Sequence, residues 1–171
     1  GAFSEARTLG SLITLPADVV GALPSIRKGV AAAAVSGDVF AQGAADDVIG
    51  LVAQAEILAG KYDAVIANPP YMGGKGMNAL LKTFAKSEYP DSKSDLFAMF
   101  IERGFEWCKP SGFNSMVTMQ SWMFLSSYEE MRAKLLRNHS LISMTHMDNG
   151  VMGIAFGTAA TVFFKPHIPG F

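Results

Sequence analysis

The chain has 171 residues, half of them hydrophobic, and a formal net charge of -1. That composition excludes a disordered chain and is enough for one domain with a real core. A charge so near zero excludes a global basic field, so any contact with DNA needs a local patch or another part of the protein to meet the phosphates. The single cysteine, Cys108, excludes an internal disulfide and fits a reducing, cytoplasmic setting. No apolar run reaches membrane-spanning length, and no signal-peptide pattern is visible. The sequence begins at Gly1 rather than Met while holding ten methionines, and we expect an excised part of a larger protein.

Residues 1–60 are expected to form a mainly helical lead-in, and residues 61–171 the catalytic part. Ser11 to Leu15 reads as a short strand stopped by Pro16. Asp18 to Leu23 reads as one or two helical turns before Pro24. Ser25 to Ala34 mixes helix and loop signals, and Gly37, Asp38 and Gly43 break it. Asp46 to Ala59 is a better helix, with Val48, Leu51, Val52, Ala55 and Leu58 on one face at steps of three and four. Gly60 stands where a C-cap glycine belongs. Asp63 to Ala67 is a short apolar strand with the pattern of a central parallel strand covered on both faces.

Asn68-Pro69-Pro70-Tyr71 follows that strand, and a flexible loop, Met72 to Gly76, follows Tyr71. Asn78 to Phe84 reads as a helix and Ser87 to Ser94 as a loop. Ser94 or Asp95 caps the next helix, which runs to Cys108 with Leu96, Phe97, Phe100, Ile101 and Phe105 on its apolar face. Lys109-Pro110-Ser111-Gly112 ends it. Phe113 to Trp122 reads as a strand, and Ser127 with Glu130 as the capping box of a helix from Tyr128 to Arg137. Leu141 to Met147 is a strand, Gly150 to Gly157 a loop, and Thr158 to Lys165 a final strand. The alternation from residue 61 onward predicts an α/β fold with parallel βαβ units. No helix separates the last two strands, which leaves the final one free to run antiparallel.

Ligands of open α/β sheets bind beyond the carboxyl ends of the strands, and Asn68 to Tyr71 stands at such an end. An exocyclic aromatic amine is a poor nucleophile because its lone pair is delocalised into the ring. Two acceptors on its two N–H groups favour a pyramidal nitrogen and return the lone pair for attack. The side-chain oxygen of Asn68 serves as one acceptor and the carbonyl of Pro69 as the other. Pro69 and Pro70 have fixed φ and no N–H, so the turn is rigid and offers only carbonyls. The ring of Tyr71 suits stacking on a base flipped out of a duplex. The plain alternative is a turn after a strand, since proline and asparagine are common turn residues.

Asn68-Pro69-Pro70-Tyr71 resembles the catalytic motif of class I, S-adenosylmethionine-dependent N6-adenine DNA methyltransferases. The segments Ser94 to Phe97, Lys109 to Phe124 and Phe156 to Thr161 resemble later parts of the same family. The wording of Asn68 to Asn78 and of Tyr89 to Phe97 is similar to that of the PglX-type methyltransferases of BREX phage-defence systems. The resemblance covers about residues 61 to 166. It implies a partial Rossmann-like class I methyltransferase sheet with flanking helices. It implies that Asn68 and Pro69 accept from the target amine, that Pro70 shapes the turn near the cofactor's methyl, and that Tyr71 stacks on the base. Phe156 would pack on the other side or the edge of that base. The implied cofactor is S-adenosylmethionine and the implied partner is DNA, in restriction-modification or phage defence. The family's aromatic-x-Gly-x-Gly cofactor motif is absent from this sequence, and no acidic residue can be assigned to the cofactor ribose. We therefore expect the first strands to lie upstream, a target-recognition domain downstream, and this chain alone to bind the cofactor poorly. We also expect the open edge of the strand at 63–67 to be covered by Ser11 to Leu15 or by another chain.

Other candidates are weaker. Cys108 lacks the preceding proline of a cytosine-C5 nucleophile and reads as core. His139, His146 and His167 lack metal-ligand spacing, so no metal is expected. His146-Met147-Asp148, at a strand end, reads as surface or core. Gly73-Gly74-Lys75-Gly76 fails the phosphate-loop spacing and reads as a surface loop or one closing on substrate. Lys75, Lys82, Lys86 and Lys93 are offset by Glu88, Asp91 and Asp95 and read as a solvated face. Transfer to a glutamine amide of a protein or to RNA stays open, because those families share the motif. A methyltransferase-like scaffold without catalysis stays open as well.

Overall fold

A computed structural model describes residues 4–170. The chain divides into two compact units, Gly1–Gly60 and Lys61–Phe171.

The first unit is helical. A short helix, Ala6–Leu9 (α1), runs into a 3₁₀ turn at Gly10–Leu12. Ser11 to Leu15 is therefore not the expected strand. Leu12, Ile13 and Leu15 are all buried, which breaks the two-residue alternation a half-buried strand needs. Ile13 and Leu15 pack with Leu23 and Ala55 in a small core. The next helix, Ala17–Ala34 (α2), continues through Pro24. An interior proline removes one hydrogen bond and crowds the preceding turn, at a cost of roughly 3 kcal/mol. Packing along the next helix, Val39–Ala59 (α3), offsets that cost. Asp38 starts α3 well before Asp46, accepting from Phe40 N at 2.9 Å and Ala41 N at 3.4 Å, so Gly43 lies inside the helix rather than breaking it. The buried face of α3 is Ala45, Val52 and Ala55, while Val48 and Leu51 of the expected face are exposed. Gly60 occupies the C-cap with φ -64°, an ordinary extended conformation. Among the described residues, no single helix is long and apolar enough to cross a membrane.

The second unit begins with strand Tyr62–Ala67 (β1) and helices Ala79–Glu88 (α4) and Leu96–Trp107 (α5). Strand Cys108–Met119 (β2), helix Glu129–Asn138 (α6) and strands Ser140–Asp148 (β3) and Thr158–Phe164 (β4) follow. The sheet order is β1-β2-β4-β3. β1 is parallel to β2, and β4 is antiparallel to both β2 and β3. The α/β class and the freedom of the last strand to reverse are borne out.

β1 itself is a correction. It pairs with β2 alone among the described residues, so it lies at the sheet edge and not at its centre. With one neighbour its faces stay largely open, and Ile66 is 79% exposed. Ser11–Leu15 adds no strand to that edge. β2 starts earlier than expected, at Cys108, and absorbs Lys109–Gly112. Gly112 is required there: a β-carbon would stand 2.9 Å from the carbonyl oxygen of Tyr62, where the β1–β2 register shifts. Cys108 is buried and its Sγ donates to the carbonyl of Phe113 at 3.2 Å, as a core residue.

The core of this unit joins Phe97, Ile101 and Phe105 of α5 to Met116, Trp122, Tyr128, Met131, Leu135 and Phe163. Gly104 lets α5 lie close on β2, since a β-carbon there would meet Asn114 Oδ1 at 2.4 Å. The Ser127–Glu130 capping box does not form. Ser126–Tyr128 is a 3₁₀ turn, and Tyr128 occupies the cap position of α6 with no side-chain cap bond. Its buried ring, 5.8 Å from that of Phe97, fixes the helix entry instead.

Asp95 joins the turn after β1 to α5. Its Oδ1 caps α5 by accepting from Phe97 N at 3.3 Å and also accepts from Met72 N at 2.8 Å. Leu96 N returns a bond to Met72 O at 3.1 Å, and Gly73 bridges to Asp95. Burial pushes the Asp95 carboxyl above its ordinary range, against the N–H groups of Met72, Phe97 and Leu96 that hold it down. A raised folded-state value means that this titration favours the fold below the unfolded value, and that the benefit is lost as pH rises through the folded value. At neutral pH the fold therefore carries the cost of a buried charge, which an amide of the same shape avoids. Asp95→Asn should match or exceed the wild type in a urea melt at neutral pH, because asparagine caps as well as aspartate. Asp95→Ala, which strands both N–H groups, should lose about 1–3 kcal/mol. An alanine variant as stable as the asparagine one would contradict the clamp.

Candidate active site

Asn68 follows β1 directly and is exposed, whereas Pro69 is buried beneath it. The two prolines set the turn so that Tyr71 points back across the sheet end. Its hydroxyl reaches two acceptors, Asn68 Oδ1 at 3.0 Å and the carbonyl of Val117 on β2 at 3.3 Å. Burial pushes the phenol of Tyr71 up, so it stays protonated and can donate. The single phenol hydrogen goes to one of these two oxygens at a time. A carbonyl oxygen has two lone pairs, so a second donor can still be accepted.

The ring of Tyr71 stands edge-on to two others. Phe97 lies 6.1 Å away at 89°, and Phe156 lies 6.1 Å away at 65°. Phe97 is fully buried at the start of α5, while Phe156 is 42% exposed. Four of the sequence candidates therefore meet at one place: Asn68, Tyr71 and Phe156 around the open side, with Pro69 as their base. Pro70 is exposed in the same turn. Because β4 runs antiparallel, its amino end lies at the carboxyl ends of β1, β2 and β3, and this brings Phe156 to Tyr71.

A cleft of about 340 Å³ opens beside Phe156, lined by Met119, Gln120, Phe124, Asn149, Phe156 and Gly157 among others. Gln120, the first residue after β2, lines it and bonds side chain to side chain with His146, near the end of β3. The sequence reading passed over Gln120 and set His146 aside as surface or core. The signal that could have found both is their place at the carboxyl ends of parallel strands. Asp95 was legible as a cap but not as the anchor of Met72.

The glycine loop after Tyr71 does not form a cofactor cradle. Gly74 N is held by Ser94 O at 3.1 Å, Gly76 N by Gly73 O at 2.9 Å, and Gly73 is bridged to Asp95. The N–H groups of Gly74 and Gly76 are thus taken by the protein itself. Lys93 donates locally to the carbonyl of Pro90 at 2.7 Å.

Known proteins agree with this architecture. The adenine-specific methyltransferase BrxX of Escherichia coli is 53% identical over 169 residues, covering 96% of this chain and 14% of that protein. The adenine-specific methyltransferase PglX of Lacticaseibacillus casei is 33% identical over 181 residues, covering 100% of this chain and 15% of that protein. The chain thus spans only a small part of the length of these relatives, and the expected kinship with PglX-type proteins is borne out. The crystal structure of a class I S-adenosylmethionine-dependent methyltransferase from Listeria monocytogenes superposes with a TM-score of 0.51 at 14% identity, covering 66% of this chain and 34% of that one. At that identity the likeness shows the fold, a class I methyltransferase sheet. The profile of one family matches residues 37–152, from the start of α3 past the end of β3. On the strength of that match, which takes in the whole Asn68–Tyr71 turn, the chain belongs to the Eco57I restriction-modification methylase family.

Proposed function

We propose that this chain is the base-holding part of an adenine-specific DNA methyltransferase, acting on the N6 amino group of adenine in restriction-modification or phage defence. The observation that carries the proposal is the corner formed by Asn68, Tyr71 and Phe156 at the carboxyl ends of the parallel strands. The face of a flipped adenine stacks on Tyr71 with Phe156 against its edge, since the two rings stand at an angle and not as parallel plates. The exocyclic amine then lies over the turn. Asn68 Oδ1 accepts one N–H and the carbonyl of Pro69 the other, drawing the hydrogens from the ring plane and freeing the lone pair. The acceptors are held before the base arrives, so they stabilise developing positive charge without reorganising. S-adenosylmethionine supplies the methyl group in such enzymes, and this chain's residues hold only the acceptor.

The kinship with the adenine-specific methyltransferases BrxX and PglX supports adenine as the target. In the intact protein, Asn68→Ala should lower adenine methylation by roughly 100- to 1000-fold while DNA binding stays within a few-fold of wild type. An unchanged methylation rate would sink the role given to Asn68.

Two further proposals concern the chain by itself. Its glycine loop is internally bonded, so S-adenosylmethionine should bind the isolated chain with a Kd weaker than about 1 mM. Saturable micromolar binding by calorimetry would overturn this. Among the described residues no second strand pairs with β1 over Ala64–Ala67, and Ile66 there is exposed, a template for a further strand. The isolated chain should self-associate in sedimentation experiments, and a strictly monomeric species across the concentration range would count against that use of the edge.

A further inference from the structure

The turn and the two aromatic rings account for the amine, one face and one edge of a base, but not for its ring nitrogens. The cleft beside Phe156 has a polar group at that place. Gln120 is held there by three features. Its backbone N–H donates to Gly157 O at 2.9 Å. Its side chain packs so tightly on Gly157 that a β-carbon at that position would stand 2.2 Å from Gln120 Cδ. Its side-chain oxygen accepts from His146 Nε2, which comes from β3; an amide oxygen only accepts, so that imidazole nitrogen carries the hydrogen. Phe124 flanks His146 with ring centroids 6.1 Å apart.

With its oxygen turned to His146, Gln120 offers its amide nitrogen as the free end. Among the described residues nothing accepts from that nitrogen, and the residue next to its packing partner is Phe156. The cleft therefore presents two N–H donors beside an aromatic edge. An adenine whose amine sits over Asn68 carries ring-nitrogen acceptors, N1 and N7, on either side of that amine.

We propose that Gln120 positions the target base by donating from its amide nitrogen to the N1 or N7 of adenine, with His146 and Gly157 setting the direction of that amide. This rests on the adenine-methylation reading. It adds a specificity element to the site: a base with N–H in place of the ring acceptor would leave Gln120 unpaired against a donor, and loss of a partner for a placed polar group is the efficient way to reject an analogue.

The test uses the intact protein and an oligonucleotide containing a site that it methylates. Gln120→Glu keeps the shape of the side chain and an oxygen for His146 but removes the donors. It should lower kcat/KM for adenine about 10- to 100-fold. Substrates carrying 1-deazaadenine or 7-deazaadenine at the target should identify the acceptor, because one of them slows the wild type by a similar factor and leaves Gln120→Glu no slower. Gln120→Ala should share that insensitivity, and a melting temperature equal to wild type separates it from a folding defect. If the wild type methylates adenine and both variants retain its kcat/KM and its response to the two analogues, the role of Gln120 is overturned and the adenine reading stands. If the wild type transfers no methyl to adenine, the adenine reading fails, and this inference fails with it.

Discussion

The position of the Asn68–Tyr71 turn depends on one carboxylate. Asp95 caps α5 and in the same stroke holds Met72, the residue after Tyr71. The prolines make the turn stiff, but stiffness alone gives it no address. The address comes from α5, which presents Asp95 at its first turn and Phe97 just inside it, where the ring edge meets Tyr71. One helix start thus fixes the turn by the two hydrogen bonds that Asp95 accepts on one side and by an aromatic contact on the other. Gly104 allows that helix to lie close on β2, and the Phe97–Phe163 core keeps it there. The acceptors of the proposed site inherit their rigidity from this chain of contacts.

Topology supplies the rest of the corner. Phe156 lies far from Tyr71 in sequence and meets it only because β4 is inserted antiparallel between β2 and β3. Three parallel strands end, and the reversed strand begins, at the same border of the sheet. Asn68 leaves β1 there, Gln120 leaves β2, His146 approaches the end of β3, and Phe156 precedes β4. A uniformly parallel sheet would carry the segment before β4 to the opposite end.

The sequence made the turn legible because its chemistry is dense: an amide, two prolines and an aromatic directly after an apolar strand. Periodicity also found the strands of the second unit and the helix from Asp95, although β2 runs from Cys108 to Met119 rather than from Phe113 to Trp122. Three kinds of information escaped it. Tertiary packing overrode local signals, as where α2 runs through Pro24 and where the ring of Tyr128 replaces the Ser127–Glu130 box at the start of α6. Neighbours in a sheet are not written in a strand's own residues: the apolar run at 63–67 reads as central, yet β1 has one partner among the described residues. Side chains with two tasks show only one of them. Asp95 looks like a cap and no more, and Gln120 looks like a residue after a strand. Their second partners, Met72 and Gly157, are set by the fold.

The central claim is that the corner of Asn68, Tyr71 and Phe156 accepts the N6 amine of adenine in DNA. The most direct measurement follows an isotopically labelled methyl group from S-adenosylmethionine in a reaction of the intact protein with DNA, RNA and protein present together, with the labelled product identified by mass spectrometry. The label should appear on N6 of adenine in DNA. Label on a glutamine amide, on RNA or on cytosine, with none on DNA adenine, would contradict the claim.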